Sequence, residues 1–260
     1  MKPLWRLLLT FGLLAIGGEA LAQIGDLHSA INKAGRERML SQRMAKAYFQ
    51  IGQQIEVERS KKLLDISIAQ FDRQLVELKN YGSTPEIKAT YMKLEKVWLA
   101  YKDVLLGAAP SPANGRKVLE LSEQVLALAH EGTVQLEKLS TTTSGRLVNI
   151  SGRQRMLSQR MAKFYQAMAW GIGDAASASE LEKARKDFSA AHQELTSAPS
   201  NTPQIVDALQ LVQQQRLFFE NALNQKTGGD KRALIAVATT SERILEEMEI
   251  VVGLYEKRGG

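Results

Sequence analysis

Arginine carries the most distinctive chemistry of this sequence, because it recurs in a long segment that occurs twice. The segment GRERMLSQRMAKAY begins at Gly35, GRQRMLSQRMAKFY begins at Gly152, and the two agree at 12 of 14 positions. Each copy holds three arginines and one lysine, whereas Glu37 is the one acidic residue in the two segments. Because a planar guanidinium group donates paired hydrogen bonds to a flat oxyanion, the segment is a candidate site for a small anion.

The spacing places one arginine of each copy on the same helix face as a glycine and a glutamine. At about 100° per residue, Gly35, Arg38 and Gln42 fall roughly opposite the apolar side of a helix. The small residue lets a second helix approach closely, and two arginines that meet there repel each other unless a negative group lies between them. Since this face contains no acidic residue, we expect a small oxyanion as the partner. The matching positions of the second copy are Gly152, Arg155 and Gln159.

The remaining arginines of the segment flank the core side of the predicted helix. Their positions favour ion pairs with neighbouring helices over ligand binding, so they are secondary candidates for contacts with a ligand or a partner. These secondary candidates are Arg36, Arg43, Arg153 and Arg160.

Residues for catalysis or cofactor binding form no recognisable pattern in this sequence. The three histidines are isolated, and without cysteine a Cys-x-x-Cys-His haem site is impossible. The sequence contains no glycine-rich phosphate loop, nucleophile elbow or carboxylate cluster of the kind that enzymes use. We therefore predict a protein that is not an enzyme and that holds neither a metal ion nor another cofactor.

The duplication extends beyond this segment and divides the chain into two units. Phe71 and Leu78 match Phe188 and Leu195 at the same offset of 117 residues. Helix-forming residues dominate, and turns containing glycine or proline divide each unit into four helices. The prediction is an all-α chain of two tandem antiparallel four-helix bundles, joined at STTTSG by either a linker or a kink in one long helix. The bundles span residues 23–142 and 143–260, with the helices of the first near 26–57, 61–80, 84–106 and 116–139.

The N-terminus predicts export. A short basic head, MKPLWR, precedes the apolar run LLLTFGLLAI, and Ala20-Leu21-Ala22 has the small-x-small form of a cleavage site. We expect residues 1–22 to be a signal peptide and the mature chain to be periplasmic, with an uncleaved anchor in the inner membrane as the alternative. The formal net charge is +6, and its excess is concentrated in the repeated segment, which argues against a nucleic-acid partner.

The stretches INKAGRERMLSQRMAKAY and VNISGRQRMLSQRMAKFY resemble the PilJ/NarX-like sensor domain. This domain is the periplasmic four-helix module of nitrate/nitrite sensor kinases and of type IV pilus methyl-accepting chemotaxis transducers, and each unit resembles one whole domain. The resemblance implies that the arginine three residues after the glycine, here Arg38 and Arg155, contacts nitrate at a twofold helix pair. It also implies a ligand role for Lys33, whereas the second copy departs from the family pattern with Ile150.

We therefore expect a periplasmic sensor protein that recognises a small oxyanion such as nitrate or nitrite. Because the sequence ends at YEKRGG without a cytoplasmic signalling module, we expect it to act through a signalling or transducer partner. The pairing of Arg38 with Arg155 of the same chain or with Arg38 of a second chain in a homodimer stays open. The alternative is an interaction module that docks on a PilJ-type transducer or sensor kinase and binds no small molecule.

Overall fold

The computed structural model describes residues 24–140, 143–225 and 231–259. Within these ranges the chain forms eight α-helices and no strand, which confirms the predicted all-α fold of helical bundles. The elements are α1 (Leu27–Gly52), α2 (Val57–Tyr81), α3 (Pro85–Gly107), α4 (Pro112–Lys138), α5 (Thr143–Ala169), α6 (Ala175–Thr196), α7 (Pro203–Leu223) and α8 (Lys231–Gly259).

A threonine followed by a proline sets the start of both α3 and α7. The Thr84 hydroxyl accepts a hydrogen bond of 3.2 Å from the amide of Ile87. Pro85 then occupies the first helical turn, where its missing N–H leaves no helical hydrogen bond unmade. Thr202 and Pro203 begin α7 in the same way. The repeat therefore reproduces helix boundaries as well as helix faces.

Each unit is a four-helix bundle built around its first helix. In the first unit α1 packs on α2 and α4, and α3 packs on α4; in the second, α5 packs on α6 and α8, and α7 packs on α8. The bundles join through α1 and α5. Gly35 lies against Gly152 near the start of these helices and Gly52 lies against Trp170 near their ends, so α1 and α5 run parallel. Both helices are buried almost all round, because each packs on its own bundle and on the other.

The structure fixes the end of the first helix and the connection between the two units, which the sequence left inexact or open. The first helix ends at Gly52 rather than near residue 57, because Gln54 (φ 59°) and Glu56 (φ 41°) adopt left-handed backbone conformations. In the middle of the chain, α4 ends at Lys138 and α5 begins at Thr143, so they are two separate helices rather than one kinked helix.

The predicted signal peptide, residues 1–22, lies outside the described residues together with its cleavage site at Ala20-Leu21-Ala22. Within the described ranges, no helix combines the length and the apolar character needed to cross a bilayer.

The turn after α1 holds backbone strain that the second unit avoids. Gln54 adopts φ 59°, whereas the matching turn of the second unit has Gly171 at φ 70°. The left-handed conformation costs a non-glycine residue about 1–2 kcal/mol, while glycine adopts it freely but loses about 0.5–1 kcal/mol more in chain entropy on folding. We expect Gln54→Gly to raise the free energy of unfolding by about 0.5–1 kcal/mol in urea titrations.

Gly171→Ala is the matched control, because a β-carbon at Gly171 meets no atom within 4 Å and therefore reports backbone strain alone. This substitution should lower the free energy of unfolding by about 1 kcal/mol. A second control, Gln54→Ala, removes the side chain but keeps the strain. Equal stabilities of Gln54→Ala and Gln54→Gly would contradict the prediction.

Candidate functional site

The two copies of the repeated segment meet within one chain, at the seam between α1 and α5. A β-carbon built on Gly35 would lie 3.9 Å from the Cα atom of Gly152, 3.2 Å from Nη2 of Arg38 and 3.6 Å from Nη2 of Arg155. A β-carbon built on Gly152 would have nearly the same surroundings, 3.2 Å from Nη2 of Arg155 and 3.7 Å from Nη2 of Arg38. The predicted glycines and arginines therefore converge, and we call Arg38 and Arg155 the arginine pair.

Arg38 is fully buried and is held by neutral groups. Its Nη1 lies 3.2 Å from Nδ1 of His130 on α4, and its Nη2 donates to the side-chain and backbone oxygens of Asn149 at 2.7 and 3.3 Å. Its Nε–H has no acceptor among the described residues. Burial, together with the charges of Arg155 and Arg153, lowers the pKa of Arg38 to about 9, so the guanidinium is still charged at neutral pH.

Arg155 is equally buried but meets a carboxylate. Its Nη1 donates to Glu249 on α8 at 2.7 Å, and its Nη2 donates to the side-chain and backbone oxygens of Asn32 at 2.8 and 3.2 Å. Its Nε–H, like that of Arg38, has no acceptor in the described part of the chain. The repeated segment places no acidic residue on this face, but α8 supplies one to Arg155.

The surroundings of the two arginines match position by position, except at one position on the fourth helix of each bundle. The amide of Asn149 donates to Glu137, and the amide of Asn32 donates to Glu256 at 2.7 Å. At the remaining matched position, His130 faces Arg38 where Glu249 faces Arg155. Burial and the Arg38 and Arg153 charges lower the pKa of His130 to about 4, so it is neutral at pH 7. Because a guanidinium can only donate, Nδ1 of His130 accepts and the ring proton lies on Nε2.

A cavity of about 280 Å³ between α4, α5 and α6 reaches Arg38 and His130. Its wall carries charges of both signs, including Arg153 and Glu180. The cavity is several times larger than the volume of about 30 Å³ that one water molecule occupies in the liquid. A small hydrated anion therefore has space beside Arg38.

Three other predicted site residues make contacts away from the arginine pair. Lys33 lies between α1 and α2, where its Nζ binds Glu77 at 2.5 Å. The Gln42 amide donates to the backbone oxygen of Ser122 on α4 at 3.1 Å. In the second unit, Gln159 donates in the same way to the backbone oxygen of Ser241 on α8, at 3.0 Å. These two glutamines hold the fourth helix of each bundle against the first.

The four secondary candidates all form ion pairs with carboxylates of other helices. Arg36 binds Glu249 at 2.6 Å, so Glu249 is shared between Arg36 and Arg155. The remaining pairs join Arg153 to Asp187, Arg160 to both Glu123 and Glu180, and Arg43 to Glu242.

Two of these pairs belong to clusters that cross from one bundle to the other and contain a fully buried lysine, and we call these clusters the inter-unit clamps. In the first clamp Lys46 and Arg43 of α1 bind Glu242 of α8. In the second, which matches it through the repeat, Lys163 and Arg160 of α5 bind Glu123 of α4. Burial alone would raise the pKa of both carboxyls, but the basic partners outweigh it and lower each pKa to about 2. Each bundle therefore supplies the negative charge that the other bundle's first helix requires.

Four residues that contact the arginine pair were missed by the sequence analysis: Asn32, Asn149, His130 and Glu249. The asparagines could have been found from the sequence, because the repeat places one three residues before the glycine of each copy. His130 and Glu249 occupy matched positions of two similar stretches, but nothing in the sequence indicates that this position faces an arginine of another helix.

The fold and the seam define the class of protein: a tandem helical-bundle module with a polar centre between its two bundles. The chain matches the PilJ family, described as the type IV pili methyl-accepting chemotaxis transducer N-terminal domain, over residues 20–123 and 140–217. Since these segments cover more than half of the chain, it belongs to this family. The family consists of sensory, non-enzymatic modules that are typically periplasmic. Comparisons with curated proteins and with solved structures found no match.

The inter-unit clamps should be essential to stability. In Glu242→Gln the fully buried Lys46 loses its carboxylate, which typically costs about 3–5 kcal/mol. Urea titration at pH 7 measures this loss. Because the folded-state pKa of Glu242 is lowered to about 2, the carboxylate contributes stability above its ordinary pKa of about 4.3 and loses it as the pH falls toward 2. Glu95→Gln, at the more exposed pair with Lys79, is the control and should cost less than about 1 kcal/mol. Similar losses in the two variants would contradict the prediction.

Glu37 should give the free energy of unfolding a second pH dependence, opposite in sign to that of Glu242. Neither of its carboxyl oxygens has a hydrogen-bond partner among the described residues, whereas the matching Gln154 donates to the Phe188 backbone oxygen at 2.7 Å. Burial, with Asp72 and Glu77 nearby, raises the pKa of Glu37 well above its usual value. Its contribution to stability is therefore complete below the unfolded pKa of about 4.3 and is lost as the pH rises toward the folded pKa.

Glu37→Gln should abolish this loss. Between the two pKa values its stability relative to wild type should increase by about 1.4 kcal/mol per pH unit, as measured by urea titrations from pH 4 to pH 9. Gln154→Glu is the matched control, and it should introduce the same pH dependence into the second unit. A stability difference that does not change with pH would show that Glu37 is not protonated in the folded protein.

Proposed function

We propose that this chain is a periplasmic sensor module that binds a small monovalent oxyanion of the nitrate or nitrite class at the arginine pair. A signalling or transducer protein then reads the bound state. The observation that carries the proposal is the asymmetry of the pair: among the described residues a carboxylate, Glu249, binds Arg155 directly, whereas none binds the equally buried Arg38.

Of the two charges of the arginine pair, that of Arg38 has no directly bound carboxylate among the described residues, while Glu249 binds Arg155 and also the partly exposed Arg36. Arg155 is paired with Glu249, while Arg38 contacts neutral His130 and Asn149. Glu137 lies near enough to favour the charged form of Arg38, but it contacts Asn149 rather than the guanidinium. An isolated buried charge is costly, so a single negative charge beside Arg38 relieves it. A monovalent anion supplies this charge, whereas a divalent anion such as sulfate exceeds it.

Unsatisfied donors support the same site. The Nε–H groups of Arg38 and Arg155 are buried, and neither has an acceptor in the described ranges. Planar oxyanions accept hydrogen bonds from guanidinium groups, and each charge-assisted bond contributes roughly 1.5–3 kcal/mol. After the entropy costs of binding, a few such bonds correspond to dissociation constants on the order of micromolar to millimolar. This range suits a reversible sensor.

Binding at the seam provides a route to signalling. Gly35 and Gly152 bring α1 and α5 together at the arginine pair, so the favourable contacts of an anion depend on how these helices are spaced. An anion that makes better contacts at one spacing shifts the population toward it. Because both arginines belong to one chain, the pair forms without a homodimer, and the partner reads a change within a single protein.

One observation favours docking as a second candidate function. An exposed apolar stripe runs along α3 at heptad spacing through Met92, Leu99 and Leu106, and the position of Leu99 is matched on α7 by the exposed Leu217. Such stripes are typical of surfaces that pack against another helix. A transducer helix of the PilJ type is the partner that this alternative requires.

Calorimetry with nitrate, nitrite and sulfate tests the oxyanion site. Wild type should bind the two monovalent anions more tightly than sulfate, and Arg38→Gln should abolish binding. His130→Glu copies Glu249 of the second unit and gives Arg38 its own carboxylate, so nitrate affinity should fall at least about tenfold, or roughly 1.4 kcal/mol. Lys33→Gln is the control, because Lys33 faces Glu77 rather than the pair, and its nitrate affinity should stay within about twofold of wild type.

The absence of nitrate and nitrite binding, or binding that is unchanged in Arg38→Gln, would overturn the oxyanion proposal. A transducer interaction that Leu99→Glu abolishes, and that neither anions nor Arg38→Gln affect, would support docking instead.

A further inference from the structure

The second unit contains a cavity that the arginine pair does not explain. It lies between α6 and α7 and has a volume of about 570 Å³, within the range of about 300–1,000 Å³ that is usual for sites of small organic ligands. Polar side chains of both helices line it, together with an apolar wall formed by Val206 and Leu209. The polar residues that matter to the argument are Ser189, His192, Gln213 and Arg216.

The first unit has a tryptophan at the position that matches Arg216. Trp98 is buried and stacks on Phe71, with ring centroids 4.1 Å apart, and its indole N–H donates to Asp72 at 2.8 Å. In the second unit the repeat replaces Trp98 by Arg216 and Leu75 by His192. The matched positions therefore hold a buried aromatic ring in the first unit, and a guanidinium and an imidazole beside a cavity in the second.

Buried polar atoms at this cavity lack partners. His192 is only 6% exposed, and its Nδ1 has no hydrogen-bond partner in the part of the chain that the structure describes. Among the same residues, Oε1 of Gln213 is also buried and unpaired. Buried polar atoms are nearly always hydrogen-bonded, so two orphans beside one cavity indicate that a bound molecule completes them.

The charge at the cavity favours an anionic group. Arg216 donates to the Ser189 hydroxyl at 2.5 Å and lies over the Phe188 ring, 5.8 Å from its centroid. Among the described residues it pairs only with Glu220, which lies 3.9 Å away and is already bound by Arg185. Arg216 therefore places an incompletely neutralised guanidinium at the cavity, and guanidinium groups bind carboxylates by charge-assisted hydrogen bonds.

We infer that this cavity is a second ligand site, specific to the second unit, that binds a small organic carboxylate. The carboxylate meets Arg216, a hydrogen-bonding group of the ligand meets His192 and Gln213, and the carbon skeleton lies against Val206 and Leu209. An inorganic oxyanion is too small to fill the cavity or to contact its apolar wall. The site is separate from the arginine pair, so each can fail without the other.

The test is titration of the protein with lactate, malate, glutamate and benzoate, followed by calorimetry and by the NMR signals of the His192 ring. The uncharged amides of the same acids serve as ligand controls. At least one carboxylate should bind and shift the His192 signals, while its amide should bind at least about tenfold more weakly.

The double variant His192→Leu/Arg216→Trp installs the residues of the first unit, Leu75 and Trp98, which are both buried there. It should stay folded by circular dichroism and lose carboxylate binding at least about tenfold. Arg216→Gln gives the same readout without filling the cavity, and Arg38→Gln should leave carboxylate binding unchanged. No binding by any of the four carboxylates, or binding that persists in both Arg216 variants, would overturn the inference.

Discussion

The structure depends on the neutralisation of basic side chains that are buried between α1 and α5. Arg38, Lys46, Arg155 and Lys163 are all fully buried, and burial alone disfavours the charged form of each. The carboxylates that reach them come from the fourth helices: Glu242 and Glu249 from α8, and Glu123 from α4. Buried ion pairs add little net stability compared with an apolar core. The loss of one partner, however, leaves a buried unpaired charge, which costs several kcal/mol. The two bundles are thus bound to each other by their charges as well as by packing.

A duplicated unit within one chain can lose its symmetry one position at a time. In a homodimer of identical units, a change of glutamate to histidine would appear on both sides of the seam. Here His130 faces Arg38 while Glu249 faces Arg155, so among the described residues one arginine has a direct carboxylate and the other has none. The matched positions of Trp98 and Arg216, away from the seam, show a similar loss of symmetry between the two units.

Local patterns predicted the helices, the repeat and the convergence of the two glycine-arginine faces, because these depend on spacing along the chain. The Thr84-Pro85 start of α3 is one example. The early end of α1 was not predictable, since Gln54 takes the conformation for which the second unit uses Gly171. The carboxylates of the seam were missed for another reason. Whether Glu249 or Glu137 reaches an arginine directly depends on how α4 and α8 pack, and helix periodicity does not determine that packing.

The fourth helix of each bundle links the arginine pair to the clamps. On α4, His130 contacts Arg38 and Glu123, seven residues earlier, contacts Lys163 of the other bundle. On α8, Glu249 and Glu242 repeat this spacing with Arg155 and Lys46. Seven residues are two helical turns, about 10.5 Å, so both contacts lie on one face of a rigid helix. A change of charge at Arg38 therefore acts on a helix that also holds the two bundles together. The effect of this change of charge reaches the interface between the bundles without a long chain of intermediate residues, because α4 is itself part of that interface.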